Sequence, residues 1–224
     1  MRFKAVVIDV DGTITFSDRS LDCRAVGVIR SLQMPVVIAT GNVLCYARAV
    51  SRLLGTCGIV IAENGGVVEH KDIEINSTYL QECEAAFNTL NQYFTLERLD
   101  SDNRKTEITL YRNFDVEKAK QIIKDFHSIE IVDTGFAVHI KSKQINKGSG
   151  LKRIAQLMGI DAKDFVAIGD SPNDIEMLKT SGFGIAVGNA HPALKEVADM
   201  VTQNKYGAGV AEALRYLKEK GMIK

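Results

Sequence analysis

The chain has no excess of charge of either sign: 28 Lys and Arg balance 28 Asp and Glu over 224 residues. The absence of a basic surplus argues against a nucleic-acid partner. A hydrophobic fraction of 46% argues equally against disorder. Long apolar runs are missing too. Ala5 to Ile8 and Pro35 to Ala39 are among the longest, far short of the roughly 20 residues of a membrane span, so no membrane partner is expected. The four cysteines, Cys23, Cys45, Cys57 and Cys83, form no CxxC pair, which removes the zinc and thioredoxin-like readings. Met1-Arg2-Phe3-Lys4 leads into a strand-like segment without a secretory h-region. The expectation is a cytoplasmic protein with reduced thiols. No GxxxxGK[ST] occurs, and Gly182-x-Gly184 opens a strand instead of following one, so neither nucleotide fingerprint applies.

What is present reads as two kinds of strand. Ala5 to Ile8, Val36 to Ala39, Ile59 to Ala62, Phe165 to Ile168 and Phe183 to Val187 are apolar at nearly every position. Strands covered on both faces, as in a parallel sheet between helices, have this composition. Between them lie helical patterns: Val43, Ala47, Val50 and Leu54 share one face, as do Leu151, Ile154, Ala155 and Met158. The fold class is therefore α/β, a doubly wound parallel sheet. The middle of the chain differs. Thr106 to Tyr111 and Ala137 to Lys141 alternate polar and apolar residues, the pattern of an antiparallel sheet with one wet face. This predicts a core over 1–81 and 147–224 with a smaller α+β insert at 82–146.

The chemistry-bearing residues fall at strand and helix ends. The first core strand closes on Asp9-Val10-Asp11-Gly12-Thr13, the second on Thr40-Gly41-Asn42, and a later one on Gly169-Asp170-Ser171-Pro172-Asn173-Asp174. In open α/β sheets ligands bind outside the carboxyl ends of the strands. Thr40 with the freed N–H groups after it forms an anion-binding corner. Ser171 suits an N-cap and Pro172 the first helical position, which places Asn173 and Asp174 in a first turn. Asn146 reads as another N-cap and puts Lys147 in the first turn of its helix, where a cation opposes the dipole at a cost of about 0.3–1 kcal/mol. Asp9, Asp11, Asp170 and Asp174 would gather up to four negative charges. Each like pair at 4 Å costs about 4 kcal/mol at an effective dielectric near 20. A hard divalent cation removes most of that repulsion, and oxygen ligands point to Mg²⁺. Alone, each motif is compatible with an ordinary turn; their order and common placement are what select function.

Asp9-x-Asp11-Gly12-Thr13, Thr40, Lys147 and Gly169-Asp170-x-x-Asn173-Asp174 together resemble the four motifs of the haloacid dehalogenase superfamily, phosphatase branch. The insert lies between the second and third motifs, as in Cof-like members with a C2-type cap. The short chain and compact cap resemble the archaeal phosphoglycolate phosphatases, with sucrose-phosphate phosphatases, mannosyl-phosphoglycerate phosphatases and phosphomannomutases as relatives. The resemblance implies a nucleophile at Asp9 and a general acid and base at Asp11. It also implies Mg²⁺ held by Asp9, Asp170 and the backbone carbonyl of Asp11, with Asp174 in the metal's surroundings. Thr40, Gly41, Asn42 and Lys147 would hold the phosphoryl oxygens. The expected substrate is a small phosphorylated metabolite, 2-phosphoglycolate first. The rivals are a phosphomutase and a metabolite-binding module without turnover. Arg104, Lys105, Arg112, His139 and Lys141 are candidates in the insert for reading a substrate carboxylate. Oligomeric state is left open between monomer and homodimer.

Overall fold

A computed structural model of the chain describes residues 2–224. It divides into two compact units, Met1–Ile73 with Asn146–Lys224, and Glu74–Ile145. The division lies eight residues before the expected 82 on the amino-terminal side. An edge at 82 would have cut the insert's first helix, which starts at Leu80.

The first unit holds β1 (Ala5–Asp9), α1 (Arg24–Arg30), β2 (Val36–Ala39), α2 (Leu44–Leu54), β3 (Val60–Ala62), β4 (Val67–His70) and the start of β5 (Asp72–Ile75). The insert contains α3 (Leu80–Leu90), β6 (Ile108–Tyr111), α4 (Val116–Ile122), β7 (Ile129–Asp133) and β8 (Ala137–Ser142). The chain then supplies α5 (Lys147–Met158), β9 (Phe165–Gly169), α6 (Ile175–Thr180), β10 (Phe183–Ala186), α7 (Pro192–Lys195), β11 (Met200–Val201) and α8 (Tyr206–Glu219).

Eight strands form one sheet in the order β11-β10-β9-β1-β2-β3-β4-β5. The pairs from β11 through β3 are parallel, and β4 returns antiparallel to β3. Side chains alternate across it. Val6, Ile8, Ile38 and Ile168 pack with Ile29 of α1, Ala47 and Leu54 of α2, and Val210, Leu214 and Leu217 of α8. Ala5, Val7, Val37 and Ala167 face the other way, onto Leu151 and Ile154 of α5 and Met177 and Leu178 of α6. Continuous apolar strands are thus explained: each residue has a helix over it on one face or the other.

The insert is a three-stranded antiparallel sheet, β6-β8-β7. Ile108, Leu110, Val138 and Ile140 pack on Cys83, Ala86 and Leu90 of α3 and Ala119 of α4. On β8 the polar face is not wet, however, although Tyr111 of β6 and Glu130 of β7 keep partial exposure. All six residues of β8 are buried. Their polar groups are matched: His139 Nδ1 lies 2.9 Å from Glu107, which also pairs with Arg104 in the segment before β6, and Lys141 donates to Glu130 of β7 at 2.9 Å. Alternation reports which residues are polar, and pairing decides whether they need water.

A carboxylate cluster at the sheet's switch point

The strand order turns around at β1. The chain steps from β1 to β2 on one side and returns much later to place β9 on the other. A crevice opens at such a switch point, outside the carboxyl ends of the strands. Asp9 ends β1, Thr40 follows β2 and Asp170 follows β9, so topology brings the three segments together.

Asp9, Asp170 and Asp174 each offer an oxygen within 4.8 Å of the others. Lys147, 1% exposed, faces them; its ammonium donates to Asp9 Oδ1 and, at 2.6 Å, to Asp174 Oδ1. Asn146 caps α5 by accepting from the Ser149 N–H at 2.9 Å, which fixes Lys147 at the first helical position as its sequence suggests. Asp174 closes its own turn, since Oδ2 accepts from the N–H groups of Asp170 and Ser171, both at 3.1 Å. Thr13 donates to Asp170 Oδ1 at 3.0 Å. Gly12 has φ 87°, and a Cβ there would lie 2.4 Å from Asp170 Oδ2, so the approach of the two segments requires glycine.

The electrostatics are unbalanced. Among the described residues, one ammonium faces three carboxylates in this cluster. Burial, then the charge of Asp174, raises the Asp9 pKa well above the usual carboxylate range against the pull of Lys147. Burial and Asp174 likewise push Asp170 up to about 6. For Lys147, burial works against the charge, but Asp174 and Asp9 outweigh it and hold the ammonium protonated. Asp9 Oδ2 is buried and accepts no hydrogen bond among the described residues. Such an all-oxygen set, short of two positive charges and with an orphaned acceptor, fits a hard divalent cation.

Asp11 lies outside this cluster. Its carboxylate accepts from Asn42 Nδ2 at 2.8 Å, Thr40 Oγ1 at 3.3 Å and the Tyr46 hydroxyl at 3.3 Å. The charge sum of four read from sequence is therefore a sum of three, with the fourth carboxylate bound by neutral donors. Burial, then the charge of Asp11, raises the Tyr46 phenol far above its ordinary pKa, which keeps its proton available to Asp11.

The sequence profile of the haloacid dehalogenase-like hydrolases matches residues 6–99 and 84–214. The chain belongs to that family. A Methanosarcina acetivorans protein named phosphoglycolate phosphatase is 54% identical to this hydrolase over the full length of both chains. An Archaeoglobus fulgidus protein of the same name is 44% identical over 96% of each. The fold is shared with a Thermoplasma acidophilum protein, with a TM-score of 0.88 at 22% identity over 97% of this chain and 99% of that one. A sugar phosphatase of the superfamily's subclass IIB has a TM-score of 0.80 at 19% identity over 98% and 100%.

In this hydrolase Asp9, Lys147, Asp170 and Asp174 meet, while Asp11, Thr40 and Asn42 form the adjoining group; Gly41 lies between the last two in the chain. Sequence reading had no reason to single out Tyr46. The one signal was an aromatic hydroxyl in the first turn of the helix that follows Thr40-Gly41-Asn42. The five basic candidates of the insert all have partners within it. Arg112 Nε donates to Asp133 at 2.8 Å, Lys105 to the Asp102 carbonyl at 3.1 Å, and Lys141 to the Ile145 carbonyl at 2.7 Å. Arg104 and His139 share Glu107.

Proposed function

We propose that this hydrolase is a Mg²⁺-dependent phosphomonoesterase whose substrate is 2-phosphoglycolate. The observation that carries the activity is the buried Asp9, paired with Lys147 through one oxygen, its second oxygen without a hydrogen-bond partner among the described residues and beside two further carboxylates. The substrate rests on the relatives named phosphoglycolate phosphatase, which match end to end at up to 54% identity.

Asp9, Asp170 and Asp174 would hold Mg²⁺, with the Asp11 backbone carbonyl as a further oxygen. The ion would supply positive charge to a phosphoryl group that must approach an anionic nucleophile. The Asp9 carboxylate attacks phosphorus and forms an aspartyl-phosphate as the ester P–O bond breaks. Asp11 in its protonated form gives a proton to the departing alkoxide, and as the carboxylate it later takes one from the water that attacks the acyl phosphate and regenerates Asp9. Thr40, the N–H groups of Gly41 and Asn42, and Lys147 hold the phosphoryl oxygens as charge moves onto them. Tyr46, Asn42 and Thr40 keep Asp11 oriented.

Phosphate release from a panel of phosphomonoesters in the presence of Mg²⁺ tests the reading. Highest kcat/KM for 2-phosphoglycolate is expected. Activity on sugar phosphates alone would reject the substrate, and no release from any ester would reject the activity.

A further inference from the structure

Beside the site, the backbone turns through the left-handed region at two successive non-glycine residues, Glu63 (φ 47°) and Asn64 (φ 53°), followed by Gly65 (φ 103°). Both side chains are buried. Non-glycine residues rarely adopt this conformation, and it persists where the surroundings over-determine it, commonly at functional sites. This turn follows β3 and carries none of the charged groups described above.

We propose that Asn64 is a positioning residue of the phosphoryl site: its side-chain oxygen fixes the Asn173 amide, and through it the Lys147 ammonium that pairs with Asp9. The inference rests on the phosphatase reading for its kinetic consequence and on contacts of the turn for its geometry. Asn173 Nδ2 donates to Asn64 Oδ1 at 3.3 Å. Asn173 Oδ1 accepts from the Ser171 hydroxyl and lies 3.5 Å from Lys147 Nζ. With the amide nitrogen engaged by Asn64, the oxygen must face Lys147. The reverse rotamer would oppose a donor to an ammonium that can only donate.

The same side chain abuts the other half of the site. A Cβ on Gly41 would come within 3.0 Å of Asn64 Oδ1, so asparagine fills the space between Gly41 and Asn173. The backbone fastens the turn to its neighbours: Glu63 N donates to the Asn42 carbonyl at 2.9 Å and Asn64 N to the Thr40 carbonyl at 3.2 Å. Gly65 seats against the carbonyl of Asn146, the cap of α5, where a Cβ would come within 2.2 Å. One strained turn therefore touches the Thr40 loop, the start of the Lys147 helix and the Asn173 turn. Asparagine suits it twice, since it tolerates the left-handed region and carries the acceptor.

The test compares wild type, Asn64→Gly, Asn173→Ala and the double variant. Asn64→Gly keeps the backbone conformation and removes only the side chain. With 2-phosphoglycolate and Mg²⁺, each single variant is expected to lower kcat by roughly 5- to 10-fold, the scale of one lost hydrogen bond. KM should change less than kcat, and the double variant should be no more than about twofold worse than the weaker single one. Losses that multiply, or a wild-type kcat in Asn64→Gly, would overturn the proposal. A measurement without turnover separates it from the phosphatase reading. In ¹⁵N spectra the Asn173 side-chain amide signals of Asn64→Gly should shift and exchange faster with solvent, and unchanged signals would overturn the proposal even if no ester is hydrolysed.

Discussion

Single residues here carry large opposing terms. Lys147 is the ammonium paired with Asp9 and Asp174, so its removal leaves those two carboxylates buried without a cation, beside the half-buried Asp170. Lys147→Met is expected to cost about 3–5 kcal/mol of stability, the usual penalty for breaking a buried ion pair, read as a lower urea midpoint in EDTA. Asp9→Asn acts in the opposite sense on repulsion but removes the proposed nucleophile. Phosphate release should fall at least about 10³-fold, and retention of a tenth of the wild-type rate would reject the assignment. The thiols offer a check unconnected with catalysis. Burial, then the nearby charge of Glu107, pushes Cys83 up to about 12, whereas Cys23, Cys45 and Cys57 are exposed. A thiol reagent at pH 8 should label those three quickly and Cys83 only on unfolding; rapid fourfold labelling would contradict its burial. At this scale the sequence displayed the groups that sit at strand ends, because β1, β2 and β9 announce themselves by composition. Tyr46 was hidden, since a helix turn brings its hydroxyl in from outside any motif, and Asn64 showed only as part of a turn.

At the scale of elements, Asp22 ties two of them together. Its side chain, 2% exposed, accepts from Arg24 Nε at 2.7 Å and from the Ala208 N–H in the first turn of α8 at 3.1 Å. The Arg24 hydrogen bond is the main influence that holds its pKa below the ordinary carboxylate value. A depressed folded pKa gives stability that is present above the unfolded pKa near 3.9 and is lost as pH falls through the folded one. Asp22→Asn should therefore destabilise at pH 7 by about 1.5–3 kcal/mol, the worth of hydrogen bonds to a charged group. The gap from wild type should close below about pH 4. A gap that is constant from pH 7 to pH 3, followed by urea unfolding, would refute the role. Element type was readable wherever burial has one cause, as in β1, β2 and β9. It was not readable for β5, whose Asp-Ile-Glu-Ile exposes both isoleucines, nor for the buried polar face of β8, because a salt bridge between Lys141 and Glu130 has no signature in local alternation.

For the whole molecule, the proposed Mg²⁺ site would couple folding to metal through the imbalance of charge. A folded state that binds Mg²⁺ gains stability by mass action over an unfolded chain that does not. Thermal denaturation with EDTA and with increasing Mg²⁺ should show a rising Tm, and Asp170→Asn should flatten the response. Phosphatase activity should disappear in EDTA and return with Mg²⁺, while Ca²⁺ restores it poorly because its looser coordination spoils the geometry of in-line attack. A Tm indifferent to Mg²⁺, with full activity in the stripped protein, would remove the metal from the reading.

The pairing of β1 with β9, Ala5 against Phe165, also sets a timetable for biosynthesis. A ribosome adding roughly 5–20 residues per second needs on the order of ten to thirty seconds to travel from the first of these strands to the second. For most of that interval, once Val36–Ala39 has been made, β1 has β2 on one edge and nothing of its native sheet on the other. The strands of the insert wait far less, since Val132 and His139 pair within a few residues of each other. Nascent chains arrested before residue 165 should leave β1 open to protease, and lengthening them past β9 should close it. Asp9, the proposed nucleophile, thus ends a strand that gains both its neighbours late in synthesis.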